Sequence, residues 1–224
     1  DSGAITFLNS DIGNIEDCIK ATEDCDIVLH QAALGSVPRS IEHPLNTHSV
    51  NVTGFINILE ACRQNKVERV VYASSSSVYG DDLNLPKREN VVGSPLSPYA
   101  VSKKANELYA NVFGKLYNMK IIGLRYFNVF GPNQNAAGPY AAVIPIFVNN
   151  ILQNKDCLIY GDGSNRRDFT FVDNVVQANL LAAQTENTEA YGEVFNIAYG
   201  ATKSINELFE EIKTKMNVKE IYIW

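Results

Sequence analysis

Short apolar runs alternate along the chain with longer stretches in which apolar residues recur every three or four positions. The short runs predict strands at residues 5–8, 27–29, 70–72, 120–124, 158–159 and 194–196. The longer stretches predict helices at residues 14–23, 45–64, 99–117, 143–152, 175–183 and 205–216. Because strands that alternate with helices form parallel sheets covered on both faces, the pattern predicts an α/β fold with a doubly wound parallel sheet.

The regular alternation ends near Gly131, where a loop rich in Asn, Ala and Gly begins. We therefore place a domain boundary there. Residues 1–130 are predicted to form a domain around the parallel sheet. Residues 131–224 are predicted to form a smaller mixed α/β region.

Composition excludes several classes of function. The net charge of −6 over 224 residues argues against a nucleic-acid partner, because such domains carry a basic face. We expect no membrane partner and no leader segment, since no apolar run has the length of a membrane span and the amino-terminal residues lack a basic and apolar pattern. Four cysteines without a C-x-x-C pair, and three histidines, predict reduced thiols, no metal site and a cytoplasmic location.

Two segments carry candidate chemistry. Tyr99 and Lys103 are spaced by four on a predicted helix, so both side chains share one face. The strand at 70–72 leads into four consecutive serines, residues 74–77. Because ligands of open α/β sheets bind at the carboxyl ends of the strands, these hydroxyl groups are predicted to lie at a binding site.

These segments resemble the Ser/Thr-Tyr-Lys catalytic set of short-chain dehydrogenases. Further motifs follow in the order of the extended, NAD-dependent epimerase/dehydratase members of that family. They are Ser-Asp-Ile at 10–12, His-Gln-Ala-Ala at 30–33, Asn-Val-Thr-Gly at 51–54, Leu-Arg-Tyr-Phe-Asn-Val-Phe-Gly at 124–131, Gly-Asp-Gly at 161–163 and Arg-Asp-Phe at 167–169. Together they are specific and cover almost the whole chain.

The resemblance implies a role for each matching residue. The catalytic residues implied are Ser75, Tyr99 and Lys103. The NAD contacts implied are Asp11, Ile12, Gln31, Ala32, Ala33, Asn51, Tyr99, Lys103 and Tyr126. The contacts implied for a UDP-sugar are Gly35, Ser36, Ser75, Ser76, Asn128, Gln134 and Arg167. The resemblance also implies that residues 1–130 are a partial Rossmann-like NAD-binding domain that lacks its first two strand–helix units. Residues 131–224 would be a partial sugar-nucleotide-binding region with returning Rossmann elements, and the parent protein would be a homodimer.

A tyrosine needs help to act as a base at neutral pH, because its ordinary pKa is about 10. An ammonium about 4 Å away contributes about 4 kcal/mol at an effective dielectric constant of about 20. We therefore expect Lys103 to lower the pKa of Tyr99. Tyr99 is then expected to take the proton of the sugar 4-hydroxyl, while Ser75 hydrogen-bonds the substrate oxygen.

Residues 35–40 and 140–145 resemble the UDP-N-acetylglucosamine 4-epimerase subgroup. A sugar-nucleotide 4,6-dehydratase ranks lower, because that chemistry needs acid–base carboxylates directly after the hydroxyl residue and Ser76 and Ser77 stand there. A UDP-glucuronate 4-epimerase should lack the pattern at 35–40. A non-catalytic NAD-binding or scaffolding protein is the alternative from another class, which the intact Ser-Tyr-Lys set disfavours.

The chain departs from the family in one respect. The family opens with a glycine-rich turn that binds the pyrophosphate on backbone N–H groups, and no G-x-G-x-x-G or G-x-x-G-x-x-G pattern occurs in this sequence. The resemblance begins at the family's third strand, so roughly 60 to 70 residues are expected to be missing. The carboxyl-terminal end of the substrate region is also expected to be short. If the family geometry is kept, residues 5–8 have no strand partner and the strand at 27–29 is a sheet edge. Otherwise residues 5–8 pair with that strand.

We therefore predict that these 224 residues alone bind NAD weakly and do not turn over substrate. Calorimetric titration of the purified chain with NAD measures the binding directly. Micromolar binding together with epimerase activity would contradict the prediction.

Overall fold

The computed structural model describes residues 5–138 and 140–218. Its strands are β1 Ile27–His30, β2 Arg69–Ser75, β3 Lys120–Tyr126, β4 Val129–Phe130, β5 Arg166–Asp168, β6 Thr170–Phe171, β7 Val194–Ile197 and β8 Thr202–Ser204. Its α-helices are α1 Ile15–Thr22, α2 Val37–Glu42, α3 Pro44–His48, α4 Gly54–Gln64, α5 Pro98–Tyr117, α6 Val143–Leu152, α7 Val172–Gln184 and α8 Ile205–Lys215.

The central sheet has the strand order β1-β2-β3-β7, and β1 pairs with β2 in parallel. Its apolar strands are buried because helices cover them. Phe55 and Leu59 of α4 pack against Val70 and Tyr72 of β2, and the rings of Phe55 and Tyr72 lie 5.1 Å apart. The predicted α/β class with a parallel Rossmann-like sheet is confirmed.

Two predicted strands are wrong. Residues 5–8 belong to no strand, and Ile5 and Phe7 are each 87% exposed. Residues 158–159 also lie outside the strands, and Leu158 is 58% exposed. A short apolar run forms a strand only where a neighbour pairs its backbone groups, and the described part of the chain supplies no such neighbour to either run. Of the two outcomes expected for residues 5–8, the unpaired one is observed, and β1 is an edge of the sheet that the described residues form.

The helix predicted over residues 45–64 is interrupted. A π-helical segment, Ser49–Thr53, separates α3 from α4. Its wider turn buries Asn51 and Val52. Short π-helical segments inside α-helices are frequent at functional sites, and this one holds the asparagine of the Asn-Val-Thr-Gly motif.

The chain divides into two compact units. The first comprises the residues up to Arg125 together with Gln177–Asn196, and it contains the central sheet. The second comprises Tyr126–Val176 and the residues from Ile197 onwards. In the second unit β4 pairs with β6, β5 pairs with β8, and α6 packs on α8 through Phe147 and Phe209. Within residues 5–138 and 140–218, no helix has the length and apolar character needed to cross a bilayer.

All four cysteines are free thiols. Cys18 and Cys62 lie in the core beneath α1 and α4, and Cys157 lies in the core of the second unit. Burial raises the pKa of Cys18 to about 11 and the pKa of Cys62 to about 12. In the described ranges no three His, Cys, Asp or Glu side chains are grouped closely enough to hold a metal ion.

His30, the last residue of β1, is buried against the ring of Phe55 at 5.3 Å. Burial, followed by the positive charge of Lys103, lowers the pKa of His30 to about 4. The unfolded chain binds a proton at His30 near pH 6.5, whereas the folded chain does not until about pH 4. The unfolded state therefore binds more protons between these values, and His30 makes the fold less stable as the pH falls.

We predict that His30 accounts for about 3 kcal/mol of the stability lost between pH 6.5 and pH 4. Chemical denaturation across this pH range should show that the free energy of unfolding falls less steeply in His30→Gln than in the wild type. The exposed His43→Gln variant is the control and should retain the wild-type slope. Equal slopes in His30→Gln and the wild type would contradict the assignment.

Candidate active site

The carboxyl end of β2 and the first turn of α5 bring a serine and a tyrosine together. Helix α5 begins at Pro98 because the Ser97 hydroxyl accepts a hydrogen bond from the Ala100 N–H at 3.1 Å, so Tyr99 lies in the first turn. The Ser75 side chain lies near enough to the Tyr99 phenol to act on its pKa, which it lowers. Ser75 also accepts a hydrogen bond from the Ser77 N–H at 3.2 Å, which opens the 3₁₀ turn Ser76–Tyr79.

Lys103 lies one turn further along α5 and is 2% exposed. Its ammonium donates a hydrogen bond to the carbonyl oxygen of Ala73 at 2.8 Å, and burial lowers its pKa to about 8. An ammonium carries three N–H donors. Among the described residues, Ala73 supplies the hydrogen bond that Lys103 makes, so two donors are available to the ribose hydroxyls of a dinucleotide. The residues present therefore fit the predicted cofactor.

The expected effect of Lys103 on Tyr99 is not found. Burial raises the pKa of Tyr99, and the Ser75 side chain opposes that rise. The expectation that the ammonium lowers this pKa is therefore wrong for the chain by itself, because the loss of solvent around the phenol outweighs the other effects. Within the protein, Ser75 is the residue that favours the phenolate.

The turn after β1 is held by two amide side chains. Gln31 donates a hydrogen bond from Nε2 to Oδ1 of Asn179 at 2.9 Å. Asn51 accepts from the Leu34 N–H at 2.7 Å and donates to the Leu34 carbonyl and the Ser102 hydroxyl, each at 3.1 Å. Asn51 therefore ties this turn to α5. The predicted NAD contacts of Asn51, Gln31, Ala32 and Ala33 remain predictions.

The Asp11-Ile12 dipeptide lies beside the start of α4. Asp11 accepts a hydrogen bond from the Gly13 N–H at 2.8 Å, and the Ile12 carbonyl accepts one from Asn57 at 2.9 Å. A Cβ atom at Gly54 would lie 2.7 Å from Cδ1 of Ile12. The glycine of the Asn-Val-Thr-Gly motif is thus explained by the close approach of Ile12. Asp11 is exposed, and its predicted contact with the adenine end of NAD remains a prediction.

Gly35 and Ser36 begin the segment that leads into α2. Ser36 caps this helix by accepting a hydrogen bond from the Arg39 N–H at 3.2 Å, and its φ is 146°, a value that residues with side chains rarely adopt. A Cβ atom at Gly35 would meet no atom within 4 Å. Open space therefore adjoins Gly35, whereas Ser76 is half-buried in the 3₁₀ turn.

The second unit holds the other predicted substrate residues. Asn128 donates a hydrogen bond to the Asp168 carbonyl at 2.7 Å. Arg167 is exposed, and its guanidinium group donates a hydrogen bond to the Arg166 carbonyl at 2.8 Å. Gln134 donates to the Val129 carbonyl at 3.2 Å, while its buried Oε1 has no hydrogen-bond partner in the described part of the chain. Tyr126 is half-buried at the end of β3. Their predicted ligand contacts remain predictions.

A cavity of about 500 Å³ lies within the second unit. Its walls are mostly apolar and come from the segment after β4, from α6 and from β6. Gln134 is one of its lining residues, which include Phe130, Pro132, Asn133, Ile144, Val148 and Phe171. Among the described residues, the Gln134 amide oxygen is therefore an unused hydrogen-bond acceptor at the wall of this cavity.

The sequence analysis missed a buried ion pair below the catalytic residues. Glu107 of α5 and Arg125 of β3 are 6% and 3% exposed, and Nε of Arg125 lies 2.8 Å from Oε1 of Glu107. Two signals were present in the sequence. A glutamate stands four residues after Lys103, on the same helix face, and an arginine stands inside an otherwise apolar strand.

Comparisons with known proteins agree with this arrangement. The sequence profile of the NAD dependent epimerase/dehydratase family matches residues 1–198. A putative UDP-glucose 4-epimerase from Methanocaldococcus jannaschii is 40% identical over 215 residues, which are 95% of this chain and 68% of that protein.

Solved structures are similar over nearly the whole chain. The UDP-N-acetylglucosamine 4-epimerase from Methanobrevibacter ruminantium, solved in complex with UDP-N-acetylmuramic acid, has a TM-score of 0.92 and 39% sequence identity to this chain. The match covers 98% of this chain and 69% of that protein's chain. The UDP-glucose 4-epimerase from Thermus thermophilus, in complex with NAD, has a TM-score of 0.88 and 32% identity over 98% of this chain and 72% of its own. The chain spans about two thirds of the length of these relatives. The predicted family is confirmed, and the chain belongs to the NAD dependent epimerase/dehydratase family.

Proposed function

We propose that the protein is an NAD-dependent UDP-sugar 4-epimerase that acts on UDP-N-acetylglucosamine and UDP-N-acetylgalactosamine. The observation that carries this proposal is that Ser75 at the end of β2 acts on the Tyr99 phenol, while the buried ammonium of Lys103 is held on the same strand by the Ala73 carbonyl. A phenol, a hydroxyl and a cation at the carboxyl end of a strand suit proton transfer at a sugar alcohol.

In this proposal Tyr99 takes the proton of the sugar 4-hydroxyl while Ser75 hydrogen-bonds the same oxygen. Lys103 would hold the cofactor ribose through its remaining N–H donors. NAD, when bound, would supply the hydride acceptor and donor for C4, so that the sugar passes through a 4-keto form and can be reduced on its opposite face. Tyr99 then gives the proton back to the C4 oxygen, so the protein residues end unchanged.

The residues implied to contact each ligand divide between the two units. Asp11, Ile12 and the turn at 31–33 are proposed to contact NAD from the first unit, with Asn51 holding that turn. Asn128 and Arg167 are proposed to bind the diphosphate from the second unit, since a guanidinium group suits two phosphate oxygens. Tyr126 is proposed to lie near the nicotinamide.

The acetylated sugar is favoured by the space beside Gly35. A Cβ atom there would meet nothing within 4 Å, so this loop, which resembles that of the acetylated-sugar subgroup, leaves room beside Gly35. The Methanobrevibacter relative, which is named for UDP-N-acetylglucosamine, supports the same choice. A UDP-glucuronate 4-epimerase and a UDP-glucose 4-epimerase are the nearest alternatives within the reaction class. We rank a 4,6-dehydratase lower because Ser76 and Ser77 provide no acid–base carboxylate after Ser75.

We propose that the whole protein forms a homodimer through α5. Four large apolar residues spaced along one side of this helix are 48–70% exposed: Val101, Leu108, Val112 and Leu116. An exposed apolar stripe of this kind is suited to pairing with the same helix of a second copy.

We predict that Tyr99→Phe lowers the turnover of UDP-N-acetylglucosamine by at least about 100-fold in the complete enzyme, with little change in KM. The substitution removes the proton acceptor and keeps the ring. Steady-state assays of epimer formation measure both constants, and binding of UDP by calorimetry checks that the site is intact. Near-wild-type turnover in this variant would refute the catalytic assignment.

We also predict that kcat/KM is higher for the two N-acetylated UDP-sugars than for UDP-glucose and UDP-galactose. Parallel assays of one enzyme preparation give the ratio. Gly35→Val, which fills the space beside the loop, should lower kcat/KM for the N-acetylated pair more than for the plain pair. A ratio that favours the plain sugars in the wild type would reverse the substrate assignment while leaving the reaction type unchanged.

A further inference from the structure

Helix α5 and strand β2 are joined by two hydrogen bonds on the face of the helix that carries Tyr99. Tyr99, Lys103 and Glu107 are spaced by four residues and therefore share that face. Lys103 donates to the Ala73 carbonyl at 2.8 Å, Glu107 accepts from the Ser74 hydroxyl at 2.7 Å, and Ser75 lies near enough to Tyr99 to lower its pKa. Tyr99 and Lys103 belong to the proposed chemistry, whereas Glu107 touches neither reacting group.

Glu107 is held by a fork of charged hydrogen bonds. Arg125 donates from Nε to Oε1 at 2.8 Å and from Nη2 to Oε2 at 3.0 Å. Lys104 reaches Oε2 at 3.2 Å. Burial opposes ionisation of Glu107, but the hydrogen bonds from Arg125 and Ser74 and the charge of Arg125 hold its pKa below the ordinary range. The carboxylate stays ionised and keeps Ser74 in one orientation.

Arg125 extends the contacts to the turn that follows the catalytic serine. Its Nη1 donates to the Tyr79 hydroxyl at 3.0 Å, and its guanidinium carbon lies 4.9 Å from the centre of the Tyr79 ring. The Tyr79 hydroxyl donates in turn to Oδ1 of Asn196 at 2.6 Å. Ser75 therefore stands between two anchored residues, Ser74 before it and Tyr79 at the end of the 3₁₀ turn after it.

The same residues hold the segment that leads into α5. Arg125 donates to the Glu89 carbonyl at 3.1 Å, and Asn196 donates from Nδ2 to the Lys87 carbonyl at 3.1 Å. The backbone N–H of Asn196 also reaches the Glu89 carboxylate at 2.9 Å. This segment ends at Ser97, shortly before Tyr99. These contacts therefore hold the chain next to Ser75 and the segment that precedes Tyr99.

A buried ion pair is a weak source of stability, because two charges lose their water. An apolar pair of the same size would hold the fold as well, so stability alone does not account for these groups. Glu107 and Arg125 are better explained by their directional hydrogen bonds, which fix the end of β2 and the start of α5. An error of about 1 Å in the placement of reacting groups can lower a rate about 100-fold.

We propose that Glu107, Arg125, Tyr79 and Asn196 form a positioning network that sets the placement of Ser75 relative to Tyr99. The proposal rests on the proposed function for the roles of Ser75 and Tyr99. None of the four residues contacts a reacting group itself. Each acts through Ser74, through the 3₁₀ turn or through the segment that ends at Ser97.

The opposite end of β2 offers a matched control. Arg69, the first residue of β2, donates to the Tyr191 hydroxyl at 3.1 Å and lies 5.5 Å over the Tyr191 ring. Tyr191 donates to the Thr185 carbonyl at 2.9 Å. Tyr191→Phe and Tyr79→Phe are therefore matched substitutions, because each removes a tyrosine hydroxyl that accepts a hydrogen bond from an arginine stacked on the same ring. Six residues of strand, about 20 Å, separate Arg69 from Ser75.

In the complete enzyme we expect Tyr79→Phe to lower kcat about tenfold or more with KM changed less than about twofold, since positioning acts on the reacting groups and not on binding. Tyr191→Phe should keep the wild-type kcat at a temperature where both variants are folded. Tyr79→Phe should also cause little further loss in a Ser75→Ala background, because it acts through Ser75. Glu107→Gln, which removes the charge and keeps the shape, should behave as Tyr79→Phe does.

Ionisation of Tyr99 gives a second measurement that does not require turnover. Phenolate absorbance is titrated for each protein against its own Tyr99→Phe counterpart. Tyr79→Phe should raise the apparent Tyr99 pKa by about 0.5 or more, because a misplaced Ser75 stabilises the phenolate less. Tyr191→Phe should leave it unchanged.

These measurements separate the two proposals. A wild-type enzyme without epimerase activity would refute the proposed function, and the Tyr99 titration would still decide the network. Tyr79→Phe with wild-type kcat and an unshifted titration would show that these contacts serve stability alone.

Discussion

The ion pair between Glu107 and Arg125 is the interaction around which the candidate catalytic residues are arranged. Both side chains are buried, so neither charge is solvated, and each needs the other in one geometry. Glu107 belongs to the helix that carries Tyr99 and Lys103, and Arg125 belongs to the strand beside the one that ends at Ser75. A helix and two strands are thereby fixed relative to one another at the level of the site. Removing one partner would leave an unpaired buried charge, whereas the apolar core around Phe55 and Tyr72 tolerates some repacking.

The division of chemistry between the two units follows from the chain order. Proton transfer is proposed for residues of the first unit, whose sheet is continuous and whose helices cover it. Diphosphate recognition is proposed for Asn128 and Arg167 of the second unit, which is built from short two-stranded sheets and the pair α6 and α8. Small sheets with long connections present many side chains and backbone groups at their surface, which suits recognition of an extended ligand. The rigid sheet suits groups whose separation must be held within a fraction of an ångström.

The apolar periodicity predicted most of the elements, because the residues that produce the pattern are the same ones that pack the helices on the sheet. It failed at residues 5–8, where the apolar run is present but no neighbouring strand among the described residues pairs with it. Spacing along one helix predicted that Tyr99 and Lys103 share a face. Their electrostatics were not predictable, because the balance between burial and hydrogen bonding at Tyr99 depends on atoms contributed by a distant strand. Glu107 and Arg125 were missed because a single buried charge resembles a surface charge until its partner is known.

The buried thiols have a practical consequence for labelling. A thiol with a pKa near 11 is ionised to about one part in ten thousand at pH 7, against a few per cent for an exposed cysteine. Maleimide reagents attack the thiolate, so Cys18 and Cys62 should react slowly even before steric exclusion is considered. Cys157 is buried as well, which leaves the half-buried Cys25 as the native position to replace. In a Cys25→Ser variant, a single cysteine introduced at the surface could then be labelled with a fluorophore while the three buried cysteines are kept.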